Sequence, residues 1–154
     1  MAATHQPYAW PAGLVDVTEG PWIGWRWWGD NDPYESLVGP FYYRLDPDGR
    51  ARCAFRSESR HMNAAGSMHG GCMMSFADFS AFAIAIDELS VGPSVTVTCN
   101  CEFVGGVGVG AMVEATGEVV RAGRSLVFIR GLITADGEPA MTFSAVARRS
   151  QPRS

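Results

Sequence analysis

Residues 63–71, NAAGSMHGG, lead directly into an almost unbroken apolar run, CMMSFADFSAFAIAIDEL, at residues 72–89. A helix that is apolar on nearly every face must be buried on all sides. The rival interpretation is a membrane span, which needs about 20 apolar residues. This run is shorter, is interrupted by Asp78 and ends in Asp87 and Glu88. The stretch therefore predicts one long helix in the core of a domain.

Strand patterns flank this helix along the chain. They lie at residues 40–45, 51–57, 94–103, 111–121, 125–134 and 140–149. The first two surround Asp48-Gly49, a dipeptide typical of a hairpin turn, and Asp136-Gly137 separates the last two in the same way. An antiparallel sheet wrapped around the helix is the simplest arrangement that buries both, so the sequence predicts an α+β fold.

The strand at residues 94–103 has the clearest alternation of apolar and polar residues. Successive side chains of a strand point to opposite sides of a sheet, so two faces are predicted. The apolar face would hold Val95, Val97, Cys99, Cys101 and Phe103. The polar face would hold Thr96, Thr98 and Asn100.

The beginning of the chain differs in composition from the rest. Residues 1–37 hold all 5 tryptophans and four of the 9 prolines. Proline at that density argues against long regular elements, whereas the aromatic residues argue against disorder. We expect residues 1–37 to be an arm that covers its own domain or a partner subunit, or that lines the pocket. Residues 38–150 would then be the folded domain and residues 151–154 a tail.

Composition excludes several kinds of chemistry. The 154-residue chain contains no lysine, since all 12 basic residues are arginine, so Schiff-base catalysis and pyridoxal phosphate attachment are impossible. The formal net charge of −4 argues against a nucleic-acid partner. No C-x-x-C pair is present, and we expect four reduced cysteines and no metal site. The first residues lack the charged start and apolar run of a signal peptide, which favours a cytoplasmic location.

Asp78 is the residue that points to chemistry. Among apolar neighbours its carboxylate would be desolvated, which raises the pKa and the basicity of the group. The structural alternative is a buried Asp that is bonded to a backbone end, or an Asp that faces solvent on a narrow stripe of the helix. The composition of the segment leaves both interpretations open.

His69, Gly70 and Gly71 open the helix just upstream of this carboxylate. The first backbone N–H groups of a helix have no partners within it and carry the positive end of the helix dipole. The two glycines let a substrate carbonyl approach that backbone without meeting a Cβ atom. The helix start would polarise a carbonyl while Asp78 activates water, which together make a hydrolytic pair.

The string NAAGSMHGG, with Ala77-Asp78 downstream, resembles the signature of hotdog-fold acyl-CoA thioesterases. The branch is the one that includes phenylacetate-degradation thioesterases and one type of 4-hydroxybenzoyl-CoA thioesterase. In that pattern an Asn precedes the His by six positions and an acid follows it by nine, as Asn63, His69 and Asp78 do. The resemblance covers residues 38–149, including SVTVTCNCEFV and RAGRSLVFI. It implies a hotdog fold, in which an antiparallel sheet wraps around one long buried helix.

The resemblance also implies a role for each residue of the motif. Asp78 would be the general base or the nucleophile toward the thioester carbonyl, and the Gly70 N–H would polarise the carbonyl oxygen. Asn63 would orient water or the leaving group, His69 would cap the loop, and Thr96 would help to hold the water or the Asp. Family sites lie at a dimer interface, so Asp78 and Thr96 would face Asn63 and Gly70 of another subunit in a homodimer or homotetramer.

The implied substrate is an acyl-CoA, and no cofactor is expected, because the coenzyme A is part of the substrate. Arg121, Arg124 and Ser125 lie in the hairpin that often meets the coenzyme A phosphates, and Gly71 would lie against the substrate. The acyl pocket would draw on apolar residues of the helix, namely Met73, Met74, Phe76, Phe79 and Phe82. Such a pocket favours an apolar or aromatic acyl group. Neither a nucleic acid nor a membrane is expected as a partner.

Two other functions are compatible with the same fold. One is a hotdog hydratase or dehydratase acting on acyl thioesters, whose sites pair a catalytic His with an acid in a pattern that the HGG loop does not supply. The other is a non-catalytic acyl-CoA-binding protein. Known sensors of that kind carry a DNA-binding helix pair, which residues 1–37 do not resemble. Sustained release of thiol from a thioester separates a thioesterase from both.

Overall fold

One long helix and one antiparallel sheet hold most of the residues. The computed structural model describes residues 14–90 and 92–149. Within them the strands are β1 (Val15–Asp16), β2 (Arg26–Trp27), β3 (Tyr42–Leu45), β4 (Ala51–Arg56), β5 (Ser94–Phe103), β6 (Met112–Ala122), β7 (Leu126–Ala135) and β8 (Glu138–Arg149). The helices are α1 (Pro33–Val38), α2 (Gly70–Ile84) and α3 (Ile86–Leu89), with short 3-10 helices at Gly20–Trp22, Gly29–Asn31 and Ser59–His61.

The strands form a single 8-stranded sheet in the order β1-β2-β3-β4-β6-β7-β8-β5. Every neighbouring pair is antiparallel. The long helix α2 packs against β4, β5, β6, β7 and β8. This is the hotdog fold that the sequence predicts, and each predicted strand is confirmed with only small shifts at its ends.

Part of the segment expected to be an arm extends the sheet at its β3 end. Strand β1 pairs with β2, and β2 pairs with β3 through Arg26 and Tyr43. The Trp22 ring stacks on Tyr42 with the ring centroids 4.6 Å apart. Residues 14–37 therefore pack on their own domain. The expectations for residues 1–13 and for the tail at 151–154 lie outside the described residues, and the domain limits stay a prediction.

The helix α2 is buried over most of its surface but not over all of it. Its buried residues are Cys72, Met73, Phe76, Ala77, Phe79, Ser80, Ala81 and Ala83. A stripe at helical spacing is half-buried or exposed, and consists of Gly71, Met74, Ser75, Asp78 and Phe82. The prediction of burial on all sides is therefore wrong for this stripe, because its small and polar members do not pack into the sheet. None of the described helices is long and apolar enough to cross a membrane.

The predicted helix also ends early, because the backbone leaves the helical conformation at Ala85, where φ is −100° and ψ is 25°. The chain then resumes as α3. Between α2 and the sheet, the Phe55 ring lies 4.9 Å from Phe41 and 4.8 Å from Phe76, measured between ring centroids. Burying each such ring contributes about 1.5–3 kcal/mol. Phe76, Phe79 and Met73 are thus core residues. They do not line an open pocket, although the sequence analysis assigns them to the acyl pocket.

A β-bulge breaks the predicted alternation of β5. Thr96 pairs with Ala147 and Thr98 pairs with Val146, so Val97 is an extra residue without a partner on β8. The extra residue places Thr96 on the same face as Cys99, because a bulge shifts the register by one residue. The prediction that Thr96 lies on the face opposite the cysteines is therefore wrong. Strand β5 is also the last strand of the sheet, so its outer edge is unpaired in the described chain.

Candidate active site

Asp78 lies on the half-buried stripe of α2, opposite β5. The Thr96 hydroxyl donates a hydrogen bond to its Oδ1 over 2.7 Å. Burial raises the pKa of Asp78, the hydrogen bond from Thr96 opposes that increase, and the negative charge of Asp32 adds to it. The sequence-predicted pair Asp78 and Thr96 is thus brought together, and one carboxylate oxygen is fixed while the other stays available.

A pocket of about 380 Å³ opens beside this carboxylate. Its lining comes from the residues before α1, from α1 and α2, and from the start of β5. The lining residues are Trp28, Asp32, Glu35, Asp78, Phe82, Pro93, Ser94, Val95 and Thr96. Of the residues expected for the acyl pocket, Phe82 takes part, whereas Met74 is 44% exposed and lies outside this lining. The cavity combines apolar walls with three carboxyl groups.

The short helix α1 forms one wall of the pocket and is held in place by three hydrogen bonds. Asp32 caps it, because its Oδ1 accepts a hydrogen bond from the Glu35 N–H over 2.9 Å. The Ser36 hydroxyl donates to the Gly29 carbonyl over 3.0 Å. Toward α2, the hydroxyls of Tyr34 and Ser75 are hydrogen-bonded at 2.8 Å, one helical turn before Asp78. The side chains of α1 therefore have a defined position over the half-buried stripe.

Glu35 is the second acid that lines this pocket. Within residues 14–90 and 92–149 no group forms a hydrogen bond or ion pair with its carboxyl group. Burial, with the negative charges of Asp32 and Asp78, raises the pKa of Glu35 to about 8. This carboxyl group therefore carries a proton at neutral pH.

The start of α2 forms a separate group of predicted residues. The Gly71 N–H donates to the His69 Nδ1 over 2.9 Å, so His69 caps the helix. The Gly70 N–H finds no acceptor among the described residues and is free to receive a carbonyl oxygen. The Asn63 Oδ1 accepts from the N–H groups of Ala65 and Ser67, which shapes the preceding loop.

These two groups of residues lie far apart within one chain. Gly70 and Asp78 are separated by eight residues of α2, which corresponds to about 12 Å at 1.5 Å per residue. A thioester carbonyl that accepts from the Gly70 N–H of one chain therefore does not reach Asp78 of the same chain. The structure brings Asp78 to Thr96 and leaves Asn63, His69, Gly70 and Gly71 at the other end of the helix.

Comparison with known proteins places the chain and its fold in a family. The family described as the thioesterase superfamily matches residues 65–141. The chain belongs to the thioesterase superfamily. It is a hotdog-fold thioester hydrolase, and the family resemblance inferred from NAAGSMHGG is confirmed.

Individual relatives of this thioesterase agree with that assignment. Human acyl-coenzyme A thioesterase 13 is 27% identical over 96 residues, which cover 62% of this chain and 68% of the relative. A mutant structure of the phenylacetic acid degradation protein PaaI from Thermus thermophilus is 30% identical, with a TM-score of 0.65 over 77% of this chain and 100% of that one. The BH2602 protein of Bacillus halodurans, solved with CoA, shares the fold at 20% identity and a TM-score of 0.71, over 79% and 81% of the two chains.

The hairpin that joins β6 to β7 is connected to the start of β5 through Arg149. Arg121, Arg124 and Ser125 are exposed there. The Arg149 guanidinium donates to the Gly123 carbonyl over 2.8 Å and so holds the turn. Arg149 also pairs with Ser94, a pocket residue at the start of β5. The hairpin residues themselves do not line the pocket.

A larger concavity of about 700 Å³ lies away from Asp78, between the β3–β4 hairpin and strands β6 to β8. Its charged residues are paired with one another, as Arg52 is with Asp46 over 2.8 Å and Arg130 with Glu118 over 2.7 Å. Because the carboxylates of this concavity are paired with arginines, none is left as a free base beside a hydroxyl group. The smaller pocket is therefore the better candidate site. Among the described residues no group of three or more His, Cys, Asp or Glu side chains is placed to hold a metal ion.

The sequence reasoning did not identify the pocket residues that precede position 38. Trp28, Asp32 and Glu35 belong to residues 1–37, which the sequence predicts to be an arm. A signal was present, since an Asp followed by Pro33 and then by Glu at the third helical position is typical of a helix start. That signal predicts α1, although it does not say which surface the helix covers.

Proposed function

We propose that this thioesterase hydrolyses acyl-CoA to a free acid and coenzyme A. The observation that carries the proposal is the Asp78 carboxylate, which is hydrogen-bonded to Thr96 in a pocket with apolar walls. The name of the human relative and the coenzyme A in the Bacillus halodurans structure support the choice of substrate. We expect no cofactor, so a chelator should leave the activity unchanged, and we expect a cytoplasmic location.

In the proposed reaction Asp78 acts on the thioester carbonyl carbon. With Oδ1 held by Thr96, the other oxygen removes a proton from water, or attacks the carbon itself. The oxygen of the tetrahedral intermediate accepts from the Gly70 N–H at the positive end of α2. Asn63 orients water or the leaving group, while the hydrogen bond between Gly71 and His69 stabilises the start of the helix.

The same proposal requires two chains, because Gly70 and Asp78 of one helix are too far apart. Strand β5 offers an unpaired edge with exposed apolar residues, among them Val95, Val97 and Phe103, which is 51% exposed. Exposed edges of this kind are normally covered. We therefore infer a homodimer, or a tetramer built from it, in which Asp78 and Thr96 face the Gly70 end of another copy.

Hydrolysis is tested by the release of free thiol from short, medium, long and aryl acyl-CoA. Sustained thiol release supports the proposal. Hydration of an unsaturated acyl-CoA without thiol release, or stoichiometric binding without turnover, contradicts it. Within this proposal Arg121, Arg124 and Ser125 contact the coenzyme A phosphates, and Met74 and Phe82 contact the acyl group.

The shared site is tested by mixing two inactive variants. Gly70→Pro removes the N–H at the first helical position, where proline is tolerated. Gly70→Ala is the matched control, because it retains the N–H but adds a Cβ 3.3 Å from the Phe103 ring. Refolding Gly70→Pro together with Asp78→Asn should restore about a quarter of wild-type activity, since half of the C2 dimers then contain one intact site. No recovery in mixed dimers would place the site within one chain.

A further inference from the structure

We propose that Glu35 is the proton donor of this site and protonates the departing thiolate. The inference rests on the proposed function, because it concerns the same reaction. Glu35 and Asp78 line one pocket from two different elements, α1 and α2. One pocket thus holds two carboxyl groups whose surroundings differ, which is the usual arrangement for an acid and a base in one site.

The position of Glu35 is set by contacts on both sides of it. Its own N–H is held by Asp32, and the neighbouring Tyr34 is hydrogen-bonded to Ser75 of α2. Ser75 and Asp78 lie one turn apart on the same stripe of α2. The contact that fixes α1 therefore lies one helical turn from the proposed base, and Glu35 lines the same pocket as that base.

The hydrogen bonds of the two acids decide which one carries the proton. Thr96 donates to Asp78, and a donor of that kind favours the ionised form. Glu35 receives no such bond from the described residues, and the charges of Asp32 and Asp78 oppose its ionisation. At neutral pH Asp78 is therefore the base and Glu35 the acid.

The other titratable groups that face this pair are thiols. Cys53 of β4 interacts with Glu35, and its burial raises the pKa to about 12. Cys99 and Cys101 of β5 face Asp78, and burial raises the pKa of both, to about 12 for Cys99. All three stay neutral over the pH range of an assay, so a change near pH 8 belongs to the carboxyl pair.

The proposed step balances without any other reactant. Water adds to the acyl carbon and gives one proton to Asp78. The C–S bond then breaks, and the departing sulfur takes the proton of Glu35 to become a thiol. Transfer of the proton from Asp78 to the Glu35 carboxylate restores both groups, so the sum is thioester plus water giving acid plus thiol.

The test compares two substrates that share an acyl group, an acyl-CoA and a 4-nitrothiophenyl thioester. The thiolate of the second is stable enough to leave without a proton. Glu35→Gln should lower kcat/KM for the acyl-CoA by about 10²-fold, the lower end of the range for an acid or base. The value for the nitrothiophenyl thioester should change less than about threefold, because that reaction needs no donor.

The pH profile of kcat/KM gives a second readout. Its alkaline limb would not change on replacement of Glu35 if that residue had a purely structural role. Wild-type kcat/KM for acyl-CoA should fall above pH about 8 as Glu35 loses its proton, and Glu35→Gln should lack this fall. Asp32→Asn keeps the helix cap, since Asn is a good N-cap residue, and removes one charge. It should move the fall to lower pH, because the charge of Asp32 helps to keep Glu35 protonated.

Equal losses on both substrates, or an alkaline fall that persists in Glu35→Gln, would overturn the role of Glu35 while leaving the hydrolysis intact. Failure of the wild-type protein to release thiol from any acyl-CoA would instead overturn the proposed function. Thermal melting of each variant at pH 7 shows whether a loss of activity follows from a loss of folding.

Discussion

Replacing Asp78 by Asn tests the chemistry most directly. The side chains have nearly the same shape, and the Asn carbonyl oxygen can accept the hydrogen bond that Thr96 now donates to Oδ1 over 2.7 Å. The pocket should therefore keep its geometry and lose only the base or nucleophile. Loss of such a group costs about 10²–10⁴ in rate, which corresponds to about 2.7–5.5 kcal/mol of transition-state free energy. We expect kcat for acyl-CoA hydrolysis to fall by that factor.

The same substitution should raise the stability at neutral pH. Burial raises the pKa of Asp78 above its value in the unfolded chain, so ionisation of this group opposes folding. The melting temperature of Asp78→Asn should exceed that of the wild type at pH 7. The difference should shrink as the pH falls through the raised pKa of the folded state, and it should vanish below about 3.9, the ordinary pKa of Asp, where the wild-type group is protonated in both states.

Thiol release and thermal melting on the same preparations separate a catalytic from a structural role. The matched control is Asp87→Asn, the same chemical change at an exposed position of α3. It should leave the rate of thiol release unchanged. An Asp78→Asn variant that hydrolyses every responsive acyl-CoA within about threefold of the wild type would refute the reasoning, since base removal costs far more than that.

Three further variants test the hairpin arginine, the hydrogen bond to Asp78 and the packing of the sheet. Arg124→Ala should raise KM for coenzyme A esters but not for small phosphate-free thioesters, and equal effects on both would assign the arginine to the fold. Thr96→Val removes the bond that lowers the pKa of Asp78, so the acid limb of kcat/KM should move to higher pH; an unmoved limb would contradict this. Gly131→Ala places a Cβ 2.3 Å from the Phe143 ring, and urea unfolding should show a loss of about 1–3 kcal/mol.

Local pattern was enough to predict most of the sheet and its turns. At Asp136-Gly137 both residues have positive φ, 49° and 89°, and the Asp136 Oδ1 accepts from the Met112 N–H over 2.9 Å. In the first hairpin the turn likewise contains a residue with positive φ, Gly49 at 82°. Such turns are decided by a few adjacent residues, which is why the strands on either side of them were predicted with little error.

The pocket wall formed by α1 could not be predicted in the same way. The sequence pattern shows that Asp32 and Pro33 begin a helix. Six residues carry too little periodicity to show which face of that helix packs against the rest of the domain. Its position depends on the contact between Tyr34 and Ser75, which are 41 residues apart in sequence. The presence of Glu35 and Asp78 in one pocket follows from that long-range contact and from no local signal.

Thr96 shows where pattern and family resemblance disagree, and why the resemblance was the better guide there. Strict alternation over residues 94–103 puts Thr96 on the polar face, away from α2, whereas the family motif puts it at the site. The bulge at Val97 reverses the face for the residues before it, so that Thr96 reaches Asp78 without any change in composition. A bulge is a property of two paired strands, and bulges often re-aim side chains next to active sites. The alternation rule thus fails at Thr96, which is the residue that the proposed chemistry uses.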